Sequence, residues 1–249
     1  MSMKKLLIYL ILIVPMMMQA QNATEIIKKS DKKMRGNTSY NEMIIKIERP
    51  KWQREMRLKS WSKGDDYAVS VVTYPPKEKG IVFLKRKNEM WQFMPSINRK
   101  IKMPPSMMLQ SWMGTDLTND DLVKQSSIVK DYTHKIIGEE TIEGLKTWKI
   151  LLIPKEDAPV VWGKILLWID QKDFMQMKAE FYDEDDFLVN KMISSEPKMF
   201  DGKRLPSKIS FIPVDKPGNK TIVIYHKLKF DLPVNVKLFN PNYMTRIKI

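Results

Sequence analysis

The sequence predicts a β-rich α+β fold, in which a single curved antiparallel sheet of about eleven strands is accompanied by few helices. Beyond residue 36, apolar and polar residues alternate with a period of two, as in strands that bury one face. Turn-forming residues recur at hairpin spacing, and helical patterns are confined to two short regions. The chain has 249 residues, 43% of them hydrophobic, and no linker divides it, so we expect one domain.

Residues 1–20 are predicted to be a cleaved secretory signal peptide rather than part of the fold. Two lysines precede an apolar run from Leu6 to Met18, which is shorter than the roughly 20 residues that span a bilayer. We expect cleavage after Ala20 and a periplasmic domain over residues 21–249. No cysteine follows the run, so we expect no N-terminal lipid anchor. An uncleaved membrane anchor is the alternative.

A helix is predicted over residues 22–36, because isoleucines and lysines recur there at helical spacing and Gly36 can end it. The strands that follow are joined as hairpins rather than as β-α-β units. After strands around Ile45 and Met56, the predicted strands are Tyr67–Tyr74, Ile81–Lys85, Met90–Met94, Tyr132–Gly138, Leu145–Ile153, Val161–Ile169, Met175–Phe181, Phe187–Ser194, Ile209–Ile212 and Thr221–Phe230.

The predicted sheet is interrupted at residues 106–126 by a group of large apolar side chains. This group ends at Gly114, and Thr118 then precedes three polar residues, Asn119–Asp121, which place acids in the first turn of a short helix. Large apolar side chains left in water cost about 1.5–3 kcal/mol each, so the group must pack onto another surface. The nearest apolar surface by topology is the concave face of the sheet.

We interpret the apolar part of the interruption, residues 106–113, as a lid over an apolar cavity. Methionines concentrate between Met90 and Met113, and because methionine is flexible and polarizable, such a surface can adapt to varied apolar ligands. Ordinary core packing is the alternative. The predicted cavity and lid residues are Phe83, Trp91, Phe93, Met107, Met108, Leu109, Trp112, Met113, Trp148, Phe181 and Ile224.

The strongly positive charge indicates an anionic partner. The chain has 43 lysines and arginines against 29 aspartates and glutamates, a formal net charge of +14. Nucleic acid, a membrane surface and an anionic lipid would all suit this charge. An exported protein meets little nucleic acid, so we expect none. We interpret Arg99, Lys100 and Lys102 as a rim for lipid head groups, with an ordinary solvated face as the alternative.

The residue types present exclude several kinds of site. With no cysteine, disulfides, thiolate metal sites and thiol nucleophiles are impossible. The two histidines, His134 and His226, lie in predicted strands and are interpreted as structural or surface residues. The sequence contains no glycine-rich phosphate loop, no G-x-S-x-G motif and no H-E-x-x-H motif. We therefore expect a non-catalytic protein without cofactor or metal; copper held by methionine thioethers is the alternative for the methionine-rich segment.

Eight short blocks of sequence together carry a family resemblance. They are Gly64–Tyr67, Glu78–Gly80, Trp91–Pro95, Asn98–Ile101, Gln110–Asp116, Asn119–Leu122, Lys178–Asp183 and Gly202–Pro206. The chain resembles the outer-membrane lipoprotein-sorting protein family, relatives of the periplasmic lipoprotein carrier LolA. The resemblance covers essentially all of residues 22–249, and the stretch from Trp91 to Leu122 is its most specific part.

The resemblance implies an incomplete antiparallel β-barrel with helices that cover its mouth. It implies a carrier that holds the acyl chains of a lipoprotein or lipid and shuttles it toward the outer membrane. The implied partners are an inner-membrane transporter, such as one of the RND type, and an outer-membrane acceptor. The lipoprotein carrier has a buried arginine that ties its strands to the lid helices, and Arg54, Arg57 and Arg99 are candidates for that role here.

Two other functions stay open at this point. The first is a non-catalytic scaffolding or accessory protein of a membrane lipid transporter, which a filled barrel interior would favour. The second is an envelope lipid-modifying enzyme, which a cleft with converging polar side chains would favour.

The signal peptide gives a direct prediction. If residues 1–20 are removed on export, peptide mapping of the protein from the periplasmic fraction will find an N-terminus at Gln21 or within a few residues of it. Intact Met1 in that fraction would contradict the prediction.

Overall fold

Thirteen β-strands form one antiparallel sheet in the computed structural model, which describes residues 23–124 and 127–247. The signal peptide predicted at 1–20 lies outside the described residues. The strands are β1 (Thr38–Arg49), β2 (Trp52–Lys63), β3 (Tyr67–Tyr74), β4 (Val82–Arg86), β5 (Glu89–Met94), β6 (Arg99–Lys102), β7 (Tyr132–Ile142), β8 (Leu145–Pro154), β9 (Lys164–Asp170), β10 (Gln176–Tyr182), β11 (Leu188–Phe200), β12 (Lys203–Pro213) and β13 (Lys220–Phe230).

The sheet is a meander whose last strand returns to its first. Its order is β6-β5-β4-β3-β2-β1-β13-β12-β11-β10-β9-β8-β7, so only the β1–β13 pair joins strands distant in sequence. The end strands β6 and β7 are not paired with each other, and the sheet stays open. The predicted β-rich α+β fold with one curved antiparallel sheet is confirmed. The structure has thirteen strands rather than about eleven, and the segment interpreted as a basic rim is itself strand β6.

Helices are few and short. The longest, α1, covers residues 23–35, and it is followed by α2 (Pro105–Met108), α3 (Asn119–Lys124) and α4 (Ser127–Lys130). Helix α1 ends as predicted at Gly36, whose φ is +64° and whose N–H donates to the Lys32 carbonyl at 2.8 Å. Within the described ranges, no helix is long and apolar enough to cross a membrane.

One face of the sheet, called the inner face, is covered by α1 and by the chain between β6 and α4. Ala23, Ile26 and Ile27 of α1 are buried against strands β7–β12, in a cluster with residues such as Ile150 and Leu167. A second cluster covers the inner side of β1–β5 and β13. Phe211 and Tyr225 pack against both clusters, so the apolar interior is continuous across the sheet.

The opposite, outer face is covered locally by the C-terminal segment. Two 3-10 helices, Val236–Phe239 and Pro241–Arg246, pack Phe239 and Met244 against residues of β3–β5 such as Val69 and Leu84. Farther along the sheet, Trp168 of β9 is only 1% exposed on this face. Lysine side chains lie over its ring, and its indole N–H donates to Glu140 at 2.8 Å.

A β-bulge in β13 corrects the predicted position of Ile224. Met43 of β1 pairs with Tyr225 and Glu42 pairs with Lys227, so His226 is an extra residue in its strand. Val223 and Tyr225 pack on the inner face, so Ile224 between them lies on the outer face and cannot line an inner cavity. Alternation alone, read across the bulge, places Ile224 on the same face as Leu228 and Phe230, which lie on the inner face with Met34 of α1.

Gly163, directly before β9, is where the backbone comes closest to a neighbouring loop. A Cβ atom at Gly163 would lie 2.5 Å from the carbonyl oxygen of Asp183. We expect Gly163→Ala to lower the free energy of unfolding by about 1–3 kcal/mol, because the loop backbone must move. The measurement is the midpoint of urea unfolding.

Gly138→Ala in β7 is the matched control. Nothing lies within 4 Å of a Cβ atom there, so alanine should be neutral or stabilise the protein by up to about 1 kcal/mol. If both variants change the free energy of unfolding equally, the contact between Gly163 and the Asp183 loop does not exclude a larger side chain, and the prediction is wrong.

Candidate functional site

In the structure the lid is longer than predicted: residues 103–124 cover the inner face of β1–β5 and β13. Trp112 is its central side chain: it is 5% exposed, and its ring meets that of Phe83 edge-on, with 5.2 Å between the ring centroids. The surface beneath contains buried apolar residues such as Ile47, Met56 and Leu58. The lid side chains packed on it are Met103, Met108, Trp112, Met113, Leu122 and Val123.

The lid is a folded unit with its own hydrogen bonds. Thr118 and Asp121 form a capping box at the start of α3: the Asp121 N–H donates to Thr118 Oγ1 at 3.0 Å, and the Thr118 N–H donates to Asp121 Oδ2 at 2.8 Å. The Asn119 side chain donates to the Met107 carbonyl at 3.0 Å, which joins α3 to α2. Burial raises the pKa of the Asp121 carboxyl. The predicted acidic helix start is confirmed.

A buried polar latch, made of Arg49, Asp116 and Thr221, holds the lid to the sheet. Arg49 donates to the Gly114 carbonyl at 2.8 Å and to Asp116 Oδ2 at 3.1 Å. Thr221 donates to the same carboxylate oxygen at 2.7 Å and accepts the Asp116 N–H at 2.9 Å. The side chains of Arg49 and Asp116 are only 12% and 6% exposed, so the loss of either partner would leave a buried charge uncompensated.

A second arginine ties the lid to β2. Arg54 donates to the Met113 carbonyl at 3.2 Å and forms an ion pair with Glu78 in the loop after β3. Both ties end on the short stretch 113–116, where the lid turns. The lid is also joined to β5 where it begins, since the Met103 N–H donates to the Met90 carbonyl at 2.8 Å. Among the described residues, side-chain anchoring of the lid to the sheet is concentrated on the stretch 113–116.

The inner face is filled in this structure. Helix α1 occupies one half and the lid occupies the other. Two grooves on the surface of the described residues are lined mainly by charged side chains. Because α1 and the lid lie on the apolar interior, an acyl chain that binds there must displace one of them.

Comparison with known proteins shows which family and which solved structures this chain is similar to. A family model described as an uncharacterized-protein-like family matches residues 64–246, well over half of the chain. A LolA superfamily protein from Nitrosomonas europaea superposes with a TM-score of 0.73 at 24% identity, over 89% of this chain and 98% of the other. The chain belongs to that family, and it has the fold of LolA superfamily proteins, here called a LolA-like fold.

Two further solved structures share the LolA-like fold. A DUF1329 family protein from Desulfovibrio piger superposes with a TM-score of 0.79 at 21% identity, covering 91% of this chain and 99% of its own. A domain from Vibrio parahaemolyticus assigned to outer membrane lipoprotein sorting gives 0.76 at 19% identity, with 91% and 100% covered. No curated protein matches the sequence significantly. Identities below 25% establish a common fold and leave the ligand to be argued from the site.

The predicted cavity residues of the LolA-like chain divide between the two faces of the sheet. Phe83 lies on the inner face beneath the lid, and Trp148 and Phe181 lie on the inner face beside α1. These three residues therefore line the same apolar interior, but Phe83 lies in the half under the lid and the other two lie in the half under α1.

Trp91 and Phe93 require a correction, because they lie on the outer face against the C-terminal segment. Strand pairing explains why: Val82 is opposite Phe93 and Leu84 is opposite Trp91, and directly paired residues share a face. Phe83, between Val82 and Leu84, must point the other way. Trp91 and Phe93 cannot line the surface that Phe83 lines.

The predicted lid residues also divide. Met108, Trp112 and Met113 pack inward, whereas Met107 is partly exposed and Leu109 is 64% exposed. Helix α2 is a single turn, and consecutive residues of a helix point in directions about 100° apart, so they cannot all face the sheet. Leu109 lies on the solvent side of the lid.

The predicted head-group rim lies on the edge strand β6. Arg99 and Lys100 are exposed, and Lys100 donates to the Asn242 side chain at 2.9 Å. Lys102 forms an ion pair with Glu89 at 2.5 Å. Two of the three rim cations therefore already have partners within the chain.

Among the predicted anchoring arginines, Arg54 contacts the lid, but Arg57 pairs with Glu55 on the surface and Arg99 is exposed on β6. The principal anchor, Arg49, is missed by sequence reasoning. Its lid partners, Gly114 and Asp116, lie 65 and 67 positions away, and a basic residue at the end of a strand has no pattern that marks it as buried.

The histidines have structural and surface positions, as interpreted from the sequence. His134 is 8% exposed; its Nδ1 lies 3.0 Å from Thr24 Oγ1 in α1 and its Nε2 lies 2.7 Å from the Ile128 carbonyl in α4. Burial lowers the pKa of His134. His226 is exposed in the β13 bulge.

The described residues contain no group of three or more acidic, histidine or cysteine side chains that could hold a metal ion.

The latch predicts how one substitution will change the lid. Arg49→Gln leaves Asp116 buried without its cationic partner, so we expect the free energy of unfolding to fall by about 3 kcal/mol. Amides of residues 110–124 should exchange hydrogen faster, while those of β8–β10 keep their protection. Hydrogen-exchange mass spectrometry and urea unfolding are the measurements.

Arg57→Gln is the matched control, since the Arg57 side chain is 56% exposed in its pair with Glu55. It should change stability by less than about 1 kcal/mol and leave exchange in the lid unaltered. Unaltered lid exchange in Arg49→Gln would show that apolar packing, and not the latch, holds the lid.

Proposed function

We propose that this LolA-like protein is a non-catalytic carrier that binds the acyl chains of a lipid or lipoprotein between its lid and the inner face of the sheet. The observation that carries the proposal is the construction of the lid: a methionine-rich apolar underside, with side-chain anchoring concentrated on the stretch 113–116. A core that stays closed gains nothing from keeping its polar anchoring apart from its apolar packing. A cover that opens on a hydrophobic ligand needs both features.

The free energy of burying an acyl chain is similar to the free energy of burying the underside of the lid, so one can replace the other on the sheet. Raising the lid exposes its six apolar side chains, which costs roughly 9–18 kcal/mol at about 1.5–3 kcal/mol each. It also uncovers the sheet residues beneath, which a bound acyl chain covers again. A buried acyl chain of about sixteen carbons gains roughly 12 kcal/mol at about 0.8 kcal/mol per methylene. An acyl chain of ordinary length can therefore offset the exposure of the lid surface, whereas spontaneous opening in water is rare.

The methionines make this exchange possible without a preformed cavity. Met108 and Met113 of the lid, and Met56 of β2, can change rotamer at low cost and reshape the interface around a chain. The lid can then rest on the acyl chain instead of on the sheet. We expect the latch to break or lengthen in the loaded state.

The proposed setting is the periplasm, with an inner-membrane transporter as donor and an outer-membrane protein as acceptor. The solved domain from Vibrio parahaemolyticus assigned to outer membrane lipoprotein sorting supports this setting through a shared fold. The predicted signal peptide supports export. The site offers apolar surface and a structural ion pair rather than converging reactive groups, which supports carriage over catalysis.

A disulfide across the latch tests the carrier proposal. Asp116 and Thr221 are in direct side-chain contact, and the chain has no cysteine, so the double variant Asp116→Cys/Thr221→Cys can form only one disulfide within a chain. We expect the oxidised protein to bind a fluorescent fatty-acyl probe at least tenfold more weakly than the reduced protein. The measurement is a fluorescence titration of residues 21–249.

Asp116→Ser/Thr221→Ser is the matched control, and its binding should not respond to oxidant. If the oxidised variant binds the probe as tightly as the reduced one, with the disulfide verified by mass, the lid is not the gate. If neither wild-type nor reduced protein binds the probe, the carrier proposal is wrong.

The filled inner face favours a second function, a non-catalytic scaffolding or accessory protein of a membrane lipid transporter. In that case α1 and the lid are permanent parts of the core, and the protein acts through its surface. Probe binding by no form of the protein is the result this alternative requires.

A further inference from the structure

A groove of about 800 Å³ lies at the end of the sheet where α1 finishes. Its walls come from three places: the polar side of α1, the turn between β9 and β10, and the hairpin between β11 and β12. Six of its nine lining residues are basic and one is acidic; the basic ones are Lys29, Lys32, Lys33, Lys172, Lys203 and Arg204. We call this surface the basic groove.

The single acid in the basic groove is already engaged. Asp173 pairs with Lys33 at 3.6 Å and with Arg204 at 3.1 Å. Although burial opposes ionisation, the nearby Arg204 and Lys33 lower the pKa of Asp173. The remaining cations are in surplus: Lys29, Lys32, Lys172 and Lys203 form no ion pair with any residue in the described ranges.

The other groove beside α1 has a different balance of charge. It shares Lys32, but it is lined by three acids, Asp31, Asp65 and Asp66, beside three cations. Arg35 pairs with Asp31 there at 2.8 Å. Of these two grooves, the basic groove is therefore the one in which cations outnumber acids.

The shape of the groove favours a surface over an enclosed small ligand. It is wide and open to solvent, and its free cations are lysines, which bind as hydrated point charges rather than as fixed forks. At its rim, Met199 of β11 is 66% exposed and adds an apolar side chain beside the cations. Cations beside an exposed apolar side chain are the pattern of a protein surface that rests on lipid head groups.

We propose that the basic groove is a docking surface for an anionic phospholipid membrane. Lys29, Lys32 and Lys172 contact phosphate groups, and Met199 enters the head-group region. This goes beyond acyl-chain carriage and does not depend on it. The groove borders the Phe230 end of β13, where Lys203 lies 3.9 Å over the Phe230 ring, while the latch holds Thr221 at the other end of the same strand.

The test is sedimentation of residues 21–249 with vesicles of phosphatidylethanolamine and phosphatidylglycerol in a 3:1 ratio at low salt. Each lysine near an anionic surface contributes roughly a fivefold gain in affinity, so Lys29→Gln/Lys32→Gln/Lys172→Gln should bind about 100-fold more weakly. All three side chains are exposed, and circular dichroism should show an unchanged fold.

The matched control is Lys51→Gln/Lys135→Gln/Lys216→Gln, which removes the same charge from exposed positions outside the groove. It should keep affinity within about threefold. Equal losses in both triple variants, or no binding of wild-type protein to these vesicles, would overturn the proposal. Full competition by millimolar inorganic phosphate at constant ionic strength would instead identify a site for small phosphate anions. In every case the acyl-probe titration reports separately on the carrier function.

Discussion

An open sheet with an apolar inner face is stable in water only if another part of the chain covers that face, and the arrangement of this LolA-like protein follows from that constraint. The sheet has one layer, its end strands β6 and β7 are not paired with each other, and most of its inner residues form two clusters. Helix α1 covers one and the lid covers the other. Because Phe211 and Tyr225 contact both clusters, displacing one cover alters the packing of the other.

The two covers differ in how they are held. Helix α1 contributes a stripe of fully buried side chains, such as Ile27, to the core. The lid depends on apolar contacts and on the latch of Arg49, Asp116 and Thr221, which concentrates its side-chain anchoring on the stretch 113–116. Under the carrier proposal, such a cover would be exchanged for a hydrophobic ligand of similar buried area without rebuilding the strands beneath. The basic groove lies at the other end of β13, so the proposed membrane contact and the proposed lid opening would use separate surfaces.

Several parts of this account could be predicted from the sequence because they depend on local pattern. Alternation predicted the strands, Gly36 predicted the end of α1, and the Thr118–Asp121 spacing predicted the start of α3. The need to bury Met108 and Trp112 predicted a lid. These signals are local because strand alternation, helix capping and turn conformation act over a few residues.

The sequence by itself determined the antiparallel sheet, the helix that ends at Gly36 and the existence of a cover. Only the tertiary structure decided which residues share a face and which charges are buried. The extra residue His226 reverses the faces of β13, and strand pairing places Trp91 and Phe93 outside. Arg49 meets Asp116 across 67 positions, and Lys29 meets Lys172 in one groove. Register, bulges and long-range ion pairs arise when distant segments meet, and no local pattern of residues encodes them.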